Sequence, residues 1–550
     1  MSGSSTTSRF RARARRAGAG RAGAGGAGPP APGALGSARE ASPSRRVQAT
    51  VLAACLALAA LSLVAPSTPS YDPWAWLVWG REVAALGLDT RFGPSWKPLP
   101  VLFTTPFSVF GEAAPALWLV VARAGALLGL AAAFGLGRRI AGPFGGVLAA
   151  VFLALAGGYL RGAALGYSEG LLVAFALLAA DRHLEGRRGQ ALALGFLAGL
   201  LRPEAWPFLG LYALYVFARE PRRRLLVAAL MALLPVLWLG PELWGSGDAL
   251  RAASRAQDPT LLSPAFADRP WLAVLDRATT MTAWPARLGA LAAIGLALAA
   301  LLPRGERRRG RVGLAGAANG GHGRRRLTEG ADRAAARTVL ALAAGGAAWL
   351  ALVAAMTELG YAGNSRYLAM PVAVAAVVGG AGVGWLAHIA ALDLERVFRR
   401  MPLRRGAGAR AARRASARRA ALAPALATAL VGLACLALLR HPIAELAGDA
   451  REVRDEARLN ADFPAVLARA GGRARVLGCG RPYATALQVP AVAWYLRVAT
   501  GRVGIEPAAP GVLFRGPPRL QPPDAPAPAP TAGGLRPVAR LGGWTVSSSC

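Results

Sequence analysis

Two side chains with chemical potential lie in one stretch of the sequence, residues 71–111, which follows a first apolar segment. Asp72 opens the stretch, and Lys97 lies within it. Lys97 is the only lysine of the chain, and the other basic residues counted with it are all arginine. An ammonium is a compact charge that titrates, whereas a guanidinium is planar and always charged, so the two are not interchangeable. The lone lysine therefore suggests a chemical role, with chance retention as the alternative.

More ionisable side chains lie at the ends of later apolar segments. Glu169 occurs in GYSEG, Arg202 and Glu204 in LRPEAW, and Arg366 with Tyr367 in NSRY. The same turns also contain Arg161, Tyr167, Glu358 and Asn364. Ionisable residues near a membrane suggest function by default. Cations hold a phosphate and stabilise it as a leaving group, and a carboxylate takes the proton from an attacking hydroxyl. The set predicts a site for a phosphate-bearing lipid.

The sequence leaves structural alternatives open for these acids and for the neighbouring tryptophans. Asp72 precedes Pro73 and is suited to cap the helix that starts there. Glu169 begins an apolar span, where an acid favours the helix dipole. An interfacial helix on the membrane explains the tryptophans better than an acceptor groove does. These tryptophans are Trp74, Trp76, Trp79 and Trp96.

The later residues have alternatives too. Arg202 and Glu204 are placed to pair with each other and tie down a hairpin. Arg366 and Tyr367 are suited to be interfacial anchors. Any one of these interpretations is plausible, but all of them holding together on the same face is less so.

The composition is that of a polytopic membrane protein. Of 550 residues, 54% are hydrophobic and 17% are charged, and the mean hydropathy is positive. The net charge of +35 sits in arginine blocks between apolar spans. Membrane topology and anionic lipids explain those blocks better than nucleic acid does. Four cysteines and four histidines are scattered without a CxxC or HxxxH pair, which argues against a thiolate or imidazole metal site.

Apolar runs predict about eleven transmembrane helices in a domain that covers residues 47–439. The first covers 47–65, and the others lie near 115–137, 142–159, 167–181, 190–202, 205–218, 224–243, 287–303, 338–356, 371–391 and 421–439. The arginine blocks fall on the side of the N-terminus, which the positive-inside rule makes cytoplasmic. This requires a hairpin over 190–218, broken at Pro203 and Pro207. The first outward loop is then 66–114, and the C-terminus is extracytoplasmic.

The two ends of the chain differ from the middle. Residues 1–46 contain few large apolar residues and are expected to be a disordered cytoplasmic tail. Residues 440–550 are expected to be a small extracytoplasmic α/β domain. It would begin with an amphipathic helix, contain strands at 475–479, 511–515 and 544–548, a helix at 488–498 and a proline-rich loop at 517–533. A disulfide between Cys479 and Cys550 is our hypothesis, because both lie on the oxidising side.

The stretch 71–111 resembles the first outward loop of the GT-C glycosyltransferases. These membrane enzymes use polyprenyl-phosphate sugars and include protein O-mannosyltransferases and lipid A aminoarabinose transferases. The resemblance rests on Asp72, Arg81-Glu82, Lys97-Pro98-Leu99-Pro100 and the apolar segment that ends at Phe110-Gly111. It covers roughly residues 50–220. Many members have a second acid where this chain has Pro73.

The resemblance implies roles for particular residues. Asp72 corresponds to the presumed catalytic base or acceptor-positioning group, Lys97 to a contact with the lipid phosphate, and Glu169 to a second acid. The Arg202-Pro203-Glu204 tip and the Arg366-Tyr367 pair are similar to features of bacterial members.

The resulting expectation is a membrane glycosyltransferase, with either hexosyl or pentosyl specificity. It would move a sugar from a polyprenyl phosphate to a hydroxyl of a lipid, glycan or protein on the extracytoplasmic side, with inversion. Asp72 would be the base, and Lys97 with Arg202 or Arg366 would hold the phosphate. The residues require no metal, although Asp72 and Glu169 are able to bind one divalent ion. The alternatives are a transporter or flippase of a lipid-linked or anionic solute, and a non-catalytic assembly protein.

Overall fold

The computed structural model describes residues 45–259, 263–302, 333–401, 409–517 and 534–550. From the N-terminus the helices are α1 (Arg45–Leu61), α2 (Tyr71–Ala84), α3 (Pro98–Phe107), α4 (Ala114–Ala154), α5 (Tyr159–Ala164), α6 (Glu169–Leu184), α7 (Arg188–Gly199), α8 (Trp206–Arg219) and α9 (Arg224–Ser246). They continue as α10 (Arg251–Ala256), α11 (Pro270–Met281), α12 (Trp284–Leu301), α13 (Arg333–Glu358), α14 (Ala369–Arg400), α15 (Ala409–Leu438), α16 (Arg440–Arg469), α17 (Gly472–Cys479) and α18 (Val489–Leu496). The strands are β1 (Arg481–Ala484), β2 (Gly511–Arg515), β3 (Arg536–Leu541) and β4 (Trp544–Ser548).

Within the described residues, seven helical segments are long and apolar enough to cross a membrane. They are Arg45–Val64, Pro98–Ala154, Pro221–Ser246, Trp284–Leu301, Arg333–Glu358, Ser365–Arg400 and Arg414–Leu438. The predicted architecture, mainly helical and polytopic with a small C-terminal α/β part, is confirmed. The number of eleven spans stays a prediction, because α6, α7 and α8 have 16, 12 and 14 residues. The expectations for residues 1–44 and 518–533 lie outside the described residues.

Helix α4 consists of two segments that fold back on each other. A straight helix of 41 residues would be about 60 Å long, roughly twice the hydrocarbon thickness of a membrane. The backbone leaves the helical conformation at Ala141 and Gly142, where φ of Gly142 is 77°. A Cβ atom at Gly137 would lie 2.9 Å from the Cβ atom of Ala149, so the two segments pack closely on either side of the turn. The turn separates the predicted spans 115–137 and 142–159.

Helices α7 and α8 form the hairpin that the arginine blocks require. At the tip, Pro203–Ala205 is a short 3₁₀ turn, and the indole nitrogen of Trp206 donates to the carbonyl of Gly199 at 3.0 Å. At the open end, Arg188 pairs with Glu220 at 3.0 Å. Contacts at both ends make the two helices antiparallel neighbours, with the proline at the tip.

The interfacial interpretation of the four tryptophans is wrong, because all four are buried inside the protein. The ring of Trp76 lies edge-on to that of Trp118 of α4, with centroids 5.4 Å apart. The rings of Trp79 and Trp96 lie 5.6 Å apart. These rings fill the space between α2 and its neighbours, so α2 is fixed in the protein core instead of resting on lipid.

Helix α14 is the most deeply buried of the membrane-length helices and packs against α4 and α12. Glycines permit the close approach to α12, since a Cβ atom at Gly382 would lie 1.8 Å from the carbonyl oxygen of Gly289. The 3₁₀ turn Ser365–Leu368 directly precedes α14. The position of this turn is therefore set by the core.

The C-terminal part contains a four-stranded sheet of order β1-β2-β4-β3. Strand β1 is parallel to β2, and the other pairs are antiparallel. The predicted strands 511–515 and 544–548 are present, but the strand predicted at 475–479 is wrong. Those residues end helix α17, and β1 begins after Gly480, whose φ of 136° sets the change of direction. A disulfide joins Cys479 and Cys550, which ties the end of the chain to the helix before β1.

Candidate active site

Residues from five parts of the chain meet at one end of the helical part. They come from the starts of α2, α3 and α6, from the α7–α8 tip and from the turn before α14. We call the set the charged cluster: Asp72, Lys97, Glu169, Arg202, Glu204, Arg366 and Tyr367. The first five of these are buried. The fold therefore brings the sequence-predicted site residues together, although they span nearly 300 positions of the chain.

Asp72 forms an ion pair with Arg366. The N-cap residue of α2 is Ser70, so the interpretation of Asp72 as the cap is wrong. The guanidinium of Arg366 lies 4.7 Å from the centroid of the Tyr167 ring. The side chain of Arg366 is 33% exposed, whereas that of Asp72 is 7% exposed. The pair is thus reached from outside through Arg366.

Glu169 is shared between two cations. Its Oε1 atom lies 2.5 Å from Nη2 of Arg202 and 3.4 Å from Nζ of Lys97. Its Oε2 atom is buried and has no hydrogen-bond partner. Glu169 is also the first residue of α6, where the helix dipole favours an acid. One carboxylate oxygen of Glu169 thus contacts both a lysine and an arginine, while the other oxygen accepts no hydrogen bond within the described residues.

Arg202 links Glu169 to the hairpin tip. Its Nη1 atom lies 3.6 Å from Oε1 of Glu204, so the predicted pair at the tip exists but belongs to a larger network. Its guanidinium lies 4.4 Å from the centroid of the Tyr367 ring. The Nε atom of Arg202 and Oε2 of Glu204 are buried without hydrogen-bond partners. Buried polar atoms in this state are rare in native proteins and call for a reason, such as a ligand.

Lys97 is the cation that titrates most readily in the charged cluster. Nζ donates to Oγ of Ser168 at 3.3 Å and lies 5.2 Å from the centroid of the Trp76 ring. Burial and then the charge of Arg202 lower the pKa of Lys97 to about 8, although the carboxylate of Glu169 opposes the shift. Lys97 therefore carries its charge at neutral pH and loses it in mildly alkaline solution.

The sequence did not reveal the residues that fix the backbone next to Lys97. Glu242, which is fully buried, accepts from the backbone N–H of Trp96 at 3.3 Å. It also pairs with Arg251 at 2.8 Å. The charges of residues 244–286 balance in the sequence, and that balance gave no sign that Arg251 reaches back to α9. Ser168 was missed as well, although it precedes Glu169.

Two residues of the predicted outward set do not join the charged cluster. Glu358 accepts from the backbone N–H of Trp271 at 2.9 Å. Arg161 pairs with Glu452 of α16 at 2.9 Å. Both residues connect neighbouring segments instead of lining the site.

The Arg81-Glu82 pair of the family resemblance lies on α2, and its two members point to different neighbours. Arg81 donates to the backbone carbonyls of Trp494 and Val498 at 3.2 and 3.0 Å. Glu82 accepts from the backbone N–H of Asp89 at 3.0 Å. Burial raises the pKa of Glu82 to about 7. This pair fixes the shape of the first loop.

The charged cluster holds three carboxylates and three cations. Asp72 and Glu169, the acids considered for a divalent ion, each face an arginine. In the part of the chain that the structure describes, no group of three or more His, Cys, Asp or Glu side chains is placed to hold a metal ion. The geometry is suited to an exchange of partners, in which an incoming anion takes a cation from a carboxylate.

Comparison with known proteins finds similar solved structures at low sequence identity. ArnT from Cupriavidus metallidurans bound to undecaprenyl phosphate is 15% identical, with a TM-score of 0.46. ArnT from the same organism in the apo state is 13% identical, with a TM-score of 0.49. Both comparisons cover 92% of this chain and 98% of the other. An Archaeoglobus fulgidus oligosaccharyltransferase tethered to an acceptor peptide is 18% identical over 70% of this chain and 55% of that one, with a TM-score of 0.31. No family model and no curated protein matches.

Proposed function

We propose that this protein is a membrane glycosyltransferase of the GT-C type. It transfers a sugar, a hexose or a pentose, from a polyprenyl-phosphate donor to a hydroxyl acceptor on the extracytoplasmic side. The N-terminus is then cytoplasmic and the C-terminal domain extracytoplasmic. The observation that carries the proposal is the meeting of Asp72–Arg366 with Lys97–Glu169–Arg202 at one end of the helical part. A carboxylate lies beside several cations there, and cations of this kind are suited to hold a donor phosphate.

The reaction is a direct displacement at the anomeric carbon. The acceptor oxygen forms a bond to that carbon while the bond from the carbon to the phosphate oxygen breaks. The products are the glycosylated acceptor and the polyprenyl phosphate, and the configuration inverts. Asp72 takes the acceptor proton or orients the hydroxyl. Lys97, helped by Arg202, stabilises the negative charge that develops on the departing phosphate.

Arg366 controls whether Asp72 is available to the acceptor. While it is paired with Asp72, its guanidinium occupies the carboxylate oxygen Oδ2, which an acceptor hydroxyl would otherwise approach. Arg366 is the most exposed of the three cations and can turn from the carboxylate to the donor phosphate. Donor binding would then free Asp72 for the acceptor.

A test uses the purified full-length protein in liposomes. The substrates are undecaprenyl phosphates that carry labelled hexoses or pentoses, with a bacterial membrane extract as the acceptor pool. We expect the wild type to release undecaprenyl phosphate and label the acceptor, and Asp72→Asn to lower the rate at least 1000-fold, on the order of a lost catalytic base. Asp89→Asn, which changes an acid paired with Arg91 in the same loop, is the control.

Three outcomes would contradict the proposal. The first is full activity of Asp72→Asn, and the second is an equal loss in Asp89→Asn. The third is passage of the intact labelled lipid across the bilayer without chemical change, which would favour the transporter alternative.

A further inference from the structure

The backbone directly before Lys97 is held by α9. The backbone N–H of Trp96 donates to Oε1 of Glu242 at 3.3 Å, and the indole nitrogen of Trp96 donates to the carbonyl of Leu237 at 3.1 Å. That carbonyl is free because Pro241, four residues further along α9, has no N–H to close the helical hydrogen bond. Both donors of Trp96 are therefore bound to the same stretch of α9.

Helix α10 holds the two residues that precede this tryptophan. The backbone carbonyl of Pro94 accepts from Nη2 of Arg251 at 2.9 Å. The hydroxyl of Ser95 donates to the backbone carbonyl of Ala252 at 2.9 Å. The chain that leads into Lys97 is therefore held at three successive positions, two of them by α10 and one by α9.

Glu242 and Arg251 join these contacts into one unit. Arg251 binds the carboxylate through two hydrogen bonds, from Nε to Oε2 at 2.8 Å and from Nη2 to Oε1 at 3.0 Å. The side chain of Glu242 is fully buried, and that of Arg251 is 11% exposed. A buried ion pair loses hydration that is recovered only in good geometry and with its remaining groups hydrogen-bonded. Here those further hydrogen bonds go to the backbone of Trp96 and Pro94, so the pair is built around the segment before Lys97.

The chain after Lys97 is fixed as well. Lys97 is the N-cap residue of α3, and Pro98 is the first residue of that helix. The backbone N–H of Leu99 donates to the carbonyl of Leu200, directly after α7, at 3.3 Å. A lysine ammonium is a point charge on a flexible stem, so its place in the site depends on how firmly the backbone is held. The contacts on both sides of Lys97 hold that backbone.

We propose that Glu242 and Arg251 are positioning residues for Lys97. By fixing residues 94–96 they place the ammonium of Lys97 beside Glu169, where it meets the phosphate of the donor. The part of the inference that concerns phosphate rests on the proposed function, and the part that concerns Lys97 rests on the contacts alone. Helix α10 thus has a task in the site, although it contributes no residue to the charged cluster.

The experiment uses the fact that Lys97 is the only lysine of the chain. Acetic anhydride acetylates uncharged amines, and mass spectrometry of the digested protein separates Lys97 from the amine of the N-terminus. Acetylation of the full-length protein in detergent is measured from about pH 6 to about pH 11, on either side of the pKa. The limiting rate at high pH reports the accessibility of Lys97, and the pH of half-maximal rate reports its pKa. In the wild type Lys97 is buried and that pKa is about 8.

Three variants are compared with the wild type. Glu242→Leu removes the acceptor of the Trp96 N–H and leaves Arg251 unpaired. The double variant Glu242→Leu with Arg251→Met removes both charges, so neither is left buried without its partner. Asp248→Asn is the matched control, because it removes an exposed acid in the loop after α9 whose carboxylate accepts from the N–H of Leu250 at 2.8 Å.

We expect Glu242→Leu and the double variant to raise the limiting rate of acetylation about tenfold, as the loss of hydrogen bonds to charged groups predicts. The pKa of Lys97 should rise by about one unit toward the usual lysine value, because an ammonium that regains water is stabilised. The affinity for tritiated undecaprenyl phosphate at neutral pH should fall about tenfold, since Lys97 then meets the phosphate less often. Asp248→Asn should match the wild type in all three measurements.

A pair with a structural role alone would lower the melting temperature and leave the acetylation profile of the folded protein unchanged. That result in the double variant overturns the inference, and so does an equal shift in Asp248→Asn. The double variant decides the matter if Glu242→Leu does not fold. Acetylation needs no lipid, so these outcomes do not depend on the proposed function. If the wild type neither binds undecaprenyl phosphate nor turns over any donor, the proposed function fails, and the acetylation profile still decides whether Glu242 and Arg251 position Lys97.

Discussion

Helix α6 has an ion-pair network at each end, and the two networks are built differently. At its start, Glu169 pairs with Lys97 and Arg202, whose side chains are only 8% and 7% exposed. Near its other end, Asp181 and Glu185 both pair with the buried Arg182 and with Arg139, which is 31% exposed. The network near the end of α6 therefore has two carboxylates for its cations and reaches solvent through Arg139. At the start of α6, one carboxylate serves two cations that are both buried, and buried charges lose hydration that their attraction repays only in good geometry.

The largest expected effect tests this contrast directly. Glu169→Gln leaves Lys97 and Arg202 buried without their shared counter-charge, and we expect it to lower the free energy of unfolding by about 3–5 kcal/mol. Asp181→Asn at the opposite end should lower it by less, because Glu185 still pairs with Arg182 and Arg139. Thermal unfolding of the purified protein in detergent measures both. Equal losses would mean that the second carboxylate near the end of α6 does not compensate for the loss of Asp181.

Glu82 is a buried acid without a cation at hydrogen-bond distance. Its pKa therefore reports mainly the effect of burial on a carboxylate. The folded protein raises its pKa from near 4.5 to about 7, so between these values the folded state binds more protons than the unfolded state. Stability should therefore fall as pH rises from about 4.5 to 7, by roughly 3 kcal/mol, and then level off. The difference between wild type and Glu82→Gln across this range isolates the effect. A difference that does not change with pH would show that Glu82 is ionised throughout.

The titration of Lys97 should have a smaller effect, on the affinity of the network at the start of α6 for a phosphate. Because burial lowers the pKa of Lys97 to about 8, the charge that would hold a phosphate disappears above that pH. We expect the affinity for tritiated undecaprenyl phosphate to be about tenfold weaker at pH 9 than at pH 7, one pH unit above the pKa. Lys97→Arg keeps its charge and should show a flat profile, even if it binds more weakly. The same decline in both proteins would assign the pH dependence to another group.

Much of the charged cluster could be predicted because its residues lie where polar side chains are conspicuous. Asp72, Glu169 and Arg202 lie at the ends of apolar runs. An ionisable group near membrane depth costs free energy, so its presence suggests a function. Apart from the pair of Arg202 with Glu204, the partners could not be predicted. Nothing in the sequence couples Asp72 to Arg366 or makes Glu169 the shared acid, because those pairs depend on how distant helices pack.

The errors in the fold have a similar origin. In the sequence, Trp76 and Trp79 are interpreted as interfacial because tryptophans in a loop between apolar spans suit a helix lying on the membrane. Only the packing of Trp76 on Trp118 and of Trp79 on Trp96 shows them to be core residues. The short segment 475–479 has too few residues for its periodicity to separate strand from helix. Glu242 follows an apolar run, and its partner Arg251 lies in a loop whose charges sum to zero. Neither residue therefore stands out in the sequence.

The packing of α2 on α18 also bears on how the protein is made. Arg81 and its acceptor in Trp494 are 413 positions apart, so Trp74 and Arg81 are synthesised long before the residues that cover them. At roughly 5–20 residues per second, the interval is on the order of 20–80 seconds. During that time the nascent chain presents Trp74 and Arg81 without the residues around α18 that cover them. A chain that terminates before α18 would therefore leave Trp74 and Arg81 of α2 uncovered.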